Sequence, residues 1–172
     1  MLANSSAVGS DAAGVLATPG FVDRYLPALL NQAAHHLAGD FADVVRERGL
    51  SILEWRVLST LADGDRVPVG LLARRAVTKQ PTLTRLLDRM AQQGHVERLD
   101  DARDRRQTLV RITAAGRALV HDLMQQAEAQ QQRALAAFGA ERQQALEALL
   151  RLLIGTVSDV SDPSGVSAGG TS

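Results

Sequence analysis

The 172-residue sequence contains no cysteine, only five aromatic residues and a single lysine. Because it has no thiol, it can form neither disulfides nor thiolate metal sites, and a thiol-based redox switch is excluded. No apolar run approaches 18 residues, and the first residues lack the basic and apolar parts of a secretory signal. The length and the 45% hydrophobic content therefore indicate one globular domain, which we expect in the cytoplasm and not in a membrane.

Motifs of common enzymes are also missing. The sequence has no glycine-rich phosphate loop, no Gly-x-Ser-x-Gly elbow and no His-Glu-x-x-His run. None of the four histidines, His35, His36, His95 and His121, forms an i, i+4 pair with another that would suit a zinc ion. We therefore expect no catalytic residue, no metal and no cofactor.

The net charge is zero, but the charge is unevenly distributed. Residues 74–117 carry eleven basic and five acidic side chains, a local net charge of +6, so the remainder carries −6. Eighteen of the 19 basic residues are arginine, which suits phosphate and base-edge contacts, although codon bias alone would produce the same excess. The asymmetry predicts that the central segment faces a polyanion such as double-stranded DNA.

Low-complexity segments flank the predicted fold. Residues 1–19 and 156–172 are rich in small residues, and we expect both to be disordered tails. Outside the basic segment, apolar residues at helical spacing predict helices over 21–37, 40–47, 52–62, 114–138 and 141–154. Pro27 is expected to kink the first helix or shift its start, and Ser51 and Glu54 form a predicted capping box on the third.

Two helices separated by a tight turn are predicted within the basic segment. The first covers 70–76, and Thr78 is expected to cap a second helix that reaches Gln93 with Pro81 in its first turn. The apolar positions of the second helix lie on one stripe: Leu83, Leu86, Leu87 and Met90. Its polar positions face elsewhere: Gln80, Thr82, Arg85 and Arg89.

Two short alternating runs, 96–99 and 108–112, follow the second helix and predict a β-hairpin with an arginine-rich tip. A helix, a turn, a helix with a polar face and a hairpin are arranged in the order of a winged helix-turn-helix. The predicted fold is thus mainly α with a small β-hairpin wing. The last helix has more apolar surface than one small domain covers, which predicts a partner surface.

Five stretches of the sequence carry a more specific signal. They are Leu-Glu-Trp-Arg-Val-Leu at 53–58, Lys-Gln-Pro-Thr-Leu-Thr-Arg-Leu-Leu-Asp-Arg-Met at 79–90, Gly-His-Val-Glu-Arg at 94–98, Asp-Ala-Arg-Asp-Arg-Arg at 101–106 and Leu-Val-Arg-Ile-Thr-Ala-Ala-Gly at 109–116. Together they resemble the MarR (multiple-antibiotic-resistance regulator) transcription factors over roughly 21–155. The resemblance implies a homodimer in which the helices of 20–48 and 114–155 interlock and two winged domains, 49–113, bind a pseudo-palindromic operator, usually as a repressor.

The second helix of the helix-turn-helix is the predicted recognition helix. Four of its side chains are able to read base edges in the major groove: Gln80, Thr82, Thr84 and Arg85. Others are expected to hold phosphates: Thr78, Lys79 and Arg89, with Arg74 and Arg75 on the preceding helix. An exposed arginine taken alone is more typical of a solvated surface, and Asp88 paired with Arg85 or Arg89 would be a weak surface ion pair.

The hairpin tip supplies the predicted wing contacts, Arg103, Asp104, Arg105 and Arg106. Arg105 or Arg106 is expected to enter the minor groove while Asp104 orients its guanidinium, and similarity to the family's wing motif favours Arg106.

The family resemblance also implies an effector. Members commonly lose DNA affinity when a small phenolic or aromatic acid binds near the junction of the dimer helices and the winged domain. Candidate lining residues here are Tyr25, His35, His36, Trp55, Arg56 and His121, although Tyr25 and Trp55 are equally well explained as core anchors. A different class of function stays open, in which the winged dimer binds a partner protein and not DNA.

Overall fold

The computed structural model describes residues 20–64, 66–101, 104 and 107–160, without the side chains of 159 and 160. The predicted tail 1–19, most of the predicted tail 156–172, and Arg103, Arg105 and Arg106 lie outside the described residues. The chain divides into two compact units, one ending at His36 and the other beginning at Leu37, and each is described by itself.

Helices dominate the described residues, with three short strands between them. The helices are α1 (Phe21–Arg24), α2 (Leu26–Ala38), α3 (Phe41–Glu47), α4 (Ile52–Ala62), α5 (Val69–Arg75), α6 (Gln80–Gln92), α7 (Ala114–Leu135) and α8 (Ala140–Val160). The strands are β1 (Val67–Pro68), β2 (Val96–Asp100) and β3 (Thr108–Ile112). The mainly helical fold with a small wing is confirmed.

The first unit contains the amphipathic segment that was predicted as one helix with a proline in it. The structure divides this segment at Tyr25, whose extended backbone (ψ 105°) separates α1 from α2. Pro27 is the second residue of α2, where it needs no hydrogen-bonding partner for a backbone N–H. The ring of Phe21 stacks on that of Tyr25 at 5.0 Å. The expected effect of Pro27 on the helix start is confirmed.

The wing sheet contains the predicted hairpin and one strand that was not predicted. β2 and β3 are antiparallel, from the pair Val96 and Ile112 to the pair Asp100 and Thr108. β1 joins the other side of β3 through Val67, opposite Val110, to give the order β1-β3-β2. With only two residues, β1 shows no alternation in the sequence, and its proline is tolerated because β1 is an edge strand.

The core lies in the second unit, where α4, α5 and α6 pack against the sheet and α7 packs against α4. Its fully buried side chains include Leu58, Leu61, Leu72, Leu83, Leu87, Met90 and Leu123. Each contributing helix directs one apolar face inward, as its sequence periodicity predicts. Thus α6, the predicted recognition helix, is held by burial of its stripe.

Capping was predicted correctly for α4 and wrongly for α6. Ser51 caps α4 in a capping box with Glu54, whose backbone N–H donates to Ser51 Oγ at 3.2 Å. The N-cap of α6 is Lys79 and not Thr78. The N–H of Thr78 donates to Ala73 O at 3.0 Å, so Thr78 belongs to the turn that closes α5. This turn places Val77 at a positive φ of 55°, which is rare for a β-branched residue.

The last helix is longer than predicted. α8 continues to Val160, past the predicted end at Ile154, so residues 156–160 are helical and not part of a tail. The hydroxyl of Thr156 donates to Leu152 O at 2.9 Å within the helix. Gly155, next to the predicted end, weakens a helix by only about 1 kcal/mol and does not by itself end one.

The beginning of α7 contacts the base of the hairpin closely. Thr113 caps α7 by accepting from the N–H of Gly116 at 3.0 Å, and its hydroxyl also donates to Gly94 O at 2.6 Å. A Cβ added at Gly116 would overlap the carbonyl oxygen of His95. Glycine is therefore required at this position because two backbone segments meet there.

We predict that Gly116→Ala lowers the free energy of unfolding by about 1–3 kcal/mol, as overpacking against a backbone atom does. Gly70→Ala is the matched control. Gly70 is also helical, but nothing lies within 4 Å of an added Cβ, so alanine should raise stability by about 0.5–1 kcal/mol. Urea unfolding measures both variants, and a Gly116→Ala protein as stable as the wild type would contradict the close contact.

Candidate nucleic-acid interface

The exposed face of α6 follows from its buried one. The predicted stripe of Leu83, Leu86, Leu87 and Met90 is confirmed, since all four side chains are buried. Gln80, Thr82 and Arg85 are exposed on the rest of the helix surface. Thr84 is half-buried, and its hydroxyl donates to Gln80 O at 3.0 Å, which engages its proton within the helix.

A groove of about 770 Å³ lies between the first turns of α6, the start of α5 and the wing strands. Four residues predicted to contact DNA line this groove: Arg74, Thr78, Gln80 and Thr84. Other predicted residues, Arg75, Lys79, Thr82 and Arg85, are exposed but do not line it. The groove therefore gathers part of the predicted set on one concave surface.

Arg98, Gln107 and Thr108 also line the groove and were not predicted as site residues. Arg98 stands directly opposite Val110 in the sheet, so the two side chains share a face. That face is the one that packs on the helices, because Val110 is fully buried. Val96 and Arg98 are two residues apart in β2 and therefore lie on the same face. This spacing was the signal in the sequence that places Arg98 on the face of the buried Val96.

Some arginines of the domain are paired with an acidic side chain and others are not. Asp88 of α6 forms an ion pair with Arg98, and not with Arg85 or Arg89 as the weaker alternative supposed. Among the described residues, no acidic side chain is paired with Arg74, Arg75 or Arg85. These three guanidinium groups remain able to contact an external anion.

The wing tip is described only in part. The N–H of Gln107 donates to the carbonyl of Asp104 at 2.9 Å, just before β3. Arg103, Arg105 and Arg106 lie outside the described residues, so their minor-groove contacts stay predictions.

Trp55 on α4 lies between two small cavities of about 260 and 230 Å³. Both are open to the surface; the first is lined by Met124, Ala127 and Glu128 of α7, and the second by Phe41, Ala127 and Gln130 among others. The rings of Trp55 and Phe41 meet edge-on at 5.2 Å. Trp55 is thus half-buried against the core and at the same time lines both cavities. Its interpretation as a core anchor is therefore compatible with its interpretation as a pocket residue.

The other predicted pocket residues do not line these cavities. Arg56 and His121 are exposed, and the side chain of His121 contacts that of Gln125 at 3.2 Å. Tyr25, His35 and His36 belong to the first unit, where the two imidazole rings lie 5.7 Å apart. Within the described ranges, no group of three His, Asp or Glu side chains is arranged to hold a metal, and no helix is long and apolar enough to cross a membrane.

Comparison with known proteins identifies the family. Residues 48–107 match the family model described as "MarR family". The homoprotocatechuate degradative operon repressor of Escherichia coli is 33% identical over 129 residues, which cover 75% of this chain and 87% of that protein. The chain belongs to the MarR family. It is accordingly a transcriptional regulator and not an enzyme.

Solved structures of MarR proteins share the fold. A MarR family regulator from Silicibacter pomeroyi has a TM-score of 0.67 and 35% identity, covering 83% of this chain and 99% of that one. NadR in complex with 4-hydroxyphenylacetate has a TM-score of 0.71 and 26% identity, covering 75% and 92%.

In this MarR regulator, a buried carboxylate connects α4 to α6. Glu54 Oε2 accepts from Ser51 N at 2.8 Å and from Ser51 Oγ at 2.6 Å, and Glu54 Oε1 accepts from Arg89 Nη2 at 3.1 Å. Burial alone would raise the pKa of Glu54, but the hydrogen bonds from Ser51 and the Arg89 guanidinium outweigh it and hold the pKa below its ordinary value. The carboxylate is therefore stabilised in its charged form.

The lowered pKa predicts a pH-dependent effect of Glu54→Gln. Ionised Glu54 stabilises the fold above the ordinary pKa of 4.5, and this contribution is lost as the pH falls through the lower folded-state pKa. At pH 7 the variant should lose about 1–3 kcal/mol of unfolding free energy, and the difference from the wild type should shrink in more acidic solution.

Urea unfolding at pH 7 and at successively lower pH values measures this difference. Glu97→Gln is the control, because Glu97 forms an exposed ion pair with Arg111 that should contribute less than about 1 kcal/mol. A deficit in Glu54→Gln that is constant with pH would contradict the assignment.

Proposed function

We propose that the protein is a ligand-responsive repressor that binds a pseudo-palindromic DNA operator as a homodimer. The single observation that carries this proposal is the exposed polar face of α6 beside a groove lined by the wing strands and α5. A DNA-binding role places the protein in the cytoplasm, with the DNA.

The exposed face of α6 has the size and chemistry to enter a major groove. Gln80, Thr82 and Arg85 present donors and acceptors that suit base edges, while Thr84 contributes its methyl group and an oxygen. Thr78 and Lys79 directly precede the helix, and Arg74 lines the groove beside its first turn. Together with Arg75, they would hold the phosphate backbone. Arg74, Arg75 and Arg85 support this division, since they have no acidic partner among the described residues to lose on binding.

The wing would contact the neighbouring minor groove. Arg103, Asp104, Arg105 and Arg106 belong to the segment of the sequence between β2 and β3. A narrow minor groove has an enhanced negative potential that attracts arginine, and Arg106 is our choice for the inserted side chain.

Exposed apolar side chains support the homodimer. In α8 they are Leu149, Leu152, Ile154 and Val157, all more than half exposed, and in the first unit they are Phe21, Val22, Tyr25 and Leu26. Apolar surface of this extent on terminal helices marks an interface, and a two-fold dimer matches a two-fold operator.

A small phenolic or aromatic carboxylate is the proposed effector. NadR binds 4-hydroxyphenylacetate, and the Escherichia coli relative is named for homoprotocatechuate. The cavities beside Trp55 are smaller than the 300–1,000 Å³ of sites for drug-sized ligands, so they suit a single ring. Their position against α7 would let a ligand bias the placement of the winged domain.

We predict distinct effects of two substitutions on DNA affinity, measured by fluorescence anisotropy with promoter DNA of the protein's own gene over a range of salt concentrations. Lys79→Ala should weaken binding to all DNA sequences alike. It should also reduce the salt slope, which is the slope of log affinity against log salt concentration, by about 0.9. Arg85→Ala should cost about 1–3 kcal/mol on the operator and relax its specificity.

Arg46→Ala is the control for both variants, since Arg46 is exposed on α3 and paired with Asp43. Weak dependence of binding on salt, or no binding to promoter DNA, would favour the alternative in which the winged dimer binds a protein.

We predict that 4-hydroxyphenylacetate changes the fluorescence of Trp55, the one tryptophan of the chain, and raises the midpoint of thermal unfolding. The same ligand should release the protein from promoter DNA. Benzoate and phenol test the carboxylate and the hydroxyl separately. Saturating ligand that leaves both fluorescence and midpoint unchanged would exclude the cavities beside Trp55 as the site for this class of acid.

A further inference from the structure

We infer that Glu54 and Arg89 form an internal anchor that positions α6, so that Arg89 supports DNA binding through α4 and not by holding a phosphate. The inference rests on the proposed DNA-binding function. The sequence predicts a phosphate contact for Arg89, whereas in the structure its guanidinium is paired with Glu54.

The anchor joins two helices that are distant in the chain. Glu54 and Arg89 are 35 residues apart, and Nη2 of Arg89 lies 3.1 Å from Oε1 of Glu54. The Glu54 side chain is only 10% exposed, and it is the one charged residue in the buried core of the described ranges. The other carboxylate oxygen, Oε2, accepts two hydrogen bonds from Ser51. These bonds fix the carboxylate at the start of α4 independently of Arg89.

The position of Arg89 on α6 makes this restraint relevant to DNA contacts. Arg89 follows Arg85 by four residues and Thr82 by seven, so the three side chains share one face of the helix. A rotation of about 10° around the helix axis moves a point on the helix surface by about 1 Å, which is enough to misplace a hydrogen-bonding group. An ion pair on this face opposes such a rotation.

A neighbouring ion pair restrains α6 from another element. Asp88, next to Arg89, is paired with Arg98 of β2. Consecutive residues of the helix are therefore connected to the wing sheet and to α4. The two restraints differ in the burial of the carboxylate, since the side chain of Glu54 is 10% exposed and that of Asp88 54%, whereas the arginines, Arg89 and Arg98, are 58% and 33% exposed. This difference makes Asp88 a useful comparison in the experiment.

A phosphate contact by Arg89 would be unfavourable in this arrangement. To reach DNA with its full charge, Arg89 would have to release Glu54, and the largely buried carboxylate would keep only its hydrogen bonds from Ser51. While the pair is intact, the negative charge of Glu54 offsets the positive charge that would release counterions from DNA. Arg89 therefore contributes little to the salt dependence of binding.

The two possible roles of Arg89, phosphate contact and anchor, predict opposite effects of Glu54→Gln on DNA affinity. If Arg89 holds a phosphate, removal of the competing negative charge frees it and strengthens DNA binding. If the pair is an anchor, the same substitution loosens α6 and weakens binding to promoter DNA by about 2- to 30-fold, the range of a modest coupling between sites. Affinities of the wild type and the variant for the same promoter fragment measure the sign.

The salt slope distinguishes the roles for Arg89 itself. Arg89→Gln should weaken binding to a similar extent without changing the slope, whereas loss of a phosphate contact reduces it by about 0.9. Lys79→Gln is the matched control that should reduce the slope. The effects of Glu54→Gln and Arg89→Gln should also be non-additive, since either one breaks the same pair. Should Glu54→Gln fail to fold, the slope of Arg89→Gln decides the question.

Hydrogen exchange tests the anchor without DNA. Amides of α6 should exchange faster in Glu54→Gln and Arg89→Gln than in the wild type, and Lys79→Gln and Asp88→Asn should have smaller effects. The anchor is overturned if Glu54→Gln binds DNA as tightly as the wild type or more tightly, if Arg89→Gln lowers the slope by about one, or if exchange in α6 is unchanged. A wild-type protein that does not bind promoter DNA overturns the proposed function instead, and the exchange result still decides whether the pair anchors α6.

Discussion

Burial of one face of α6 is the constraint on which the winged domain depends. Leu83, Leu86, Leu87 and Met90 leave no accessible surface or almost none, and all four lie on the same side of the helix. Their packing sets the rotation of α6 about its axis, so the outward direction of Gln80, Thr82 and Arg85 is a consequence of core packing. The surface proposed to read DNA is therefore determined by residues that never contact it.

Local patterns in the sequence were sufficient for most of the secondary structure. The capping box of Ser51 and Glu54, the stripe of α6 and the hairpin all depend on residues that are close together in the chain. One error depends on a distant segment and another on a local turn. β1 exists only because β3 lies beside it, and Thr78 is part of the turn that closes α5 because its N–H bonds back to Ala73.

The candidate site divides in the same way. Periodicity identified which positions of α6 are exposed, since that depends on the helix alone. The partners of Arg89 and Asp88 could not be predicted, because Glu54 and Arg98 are brought to them by tertiary packing. Trp55 is a similar case, since its contact with Phe41 and the cavities along α7 depend on how three helices pack.

The close contact at Gly116 couples the beginning of α7 directly to the base of the wing. No space separates Gly116 from His95, and Arg117 next to it donates to Ala62 O, at the end of α4, at 2.8 Å. The cavity residues Ala127 and Glu128 lie about 17–18 Å further along the same helix, at 1.5 Å per residue. Because no room is left between Gly116 and His95, any tilt of α7 would have to displace the base of the hairpin as well.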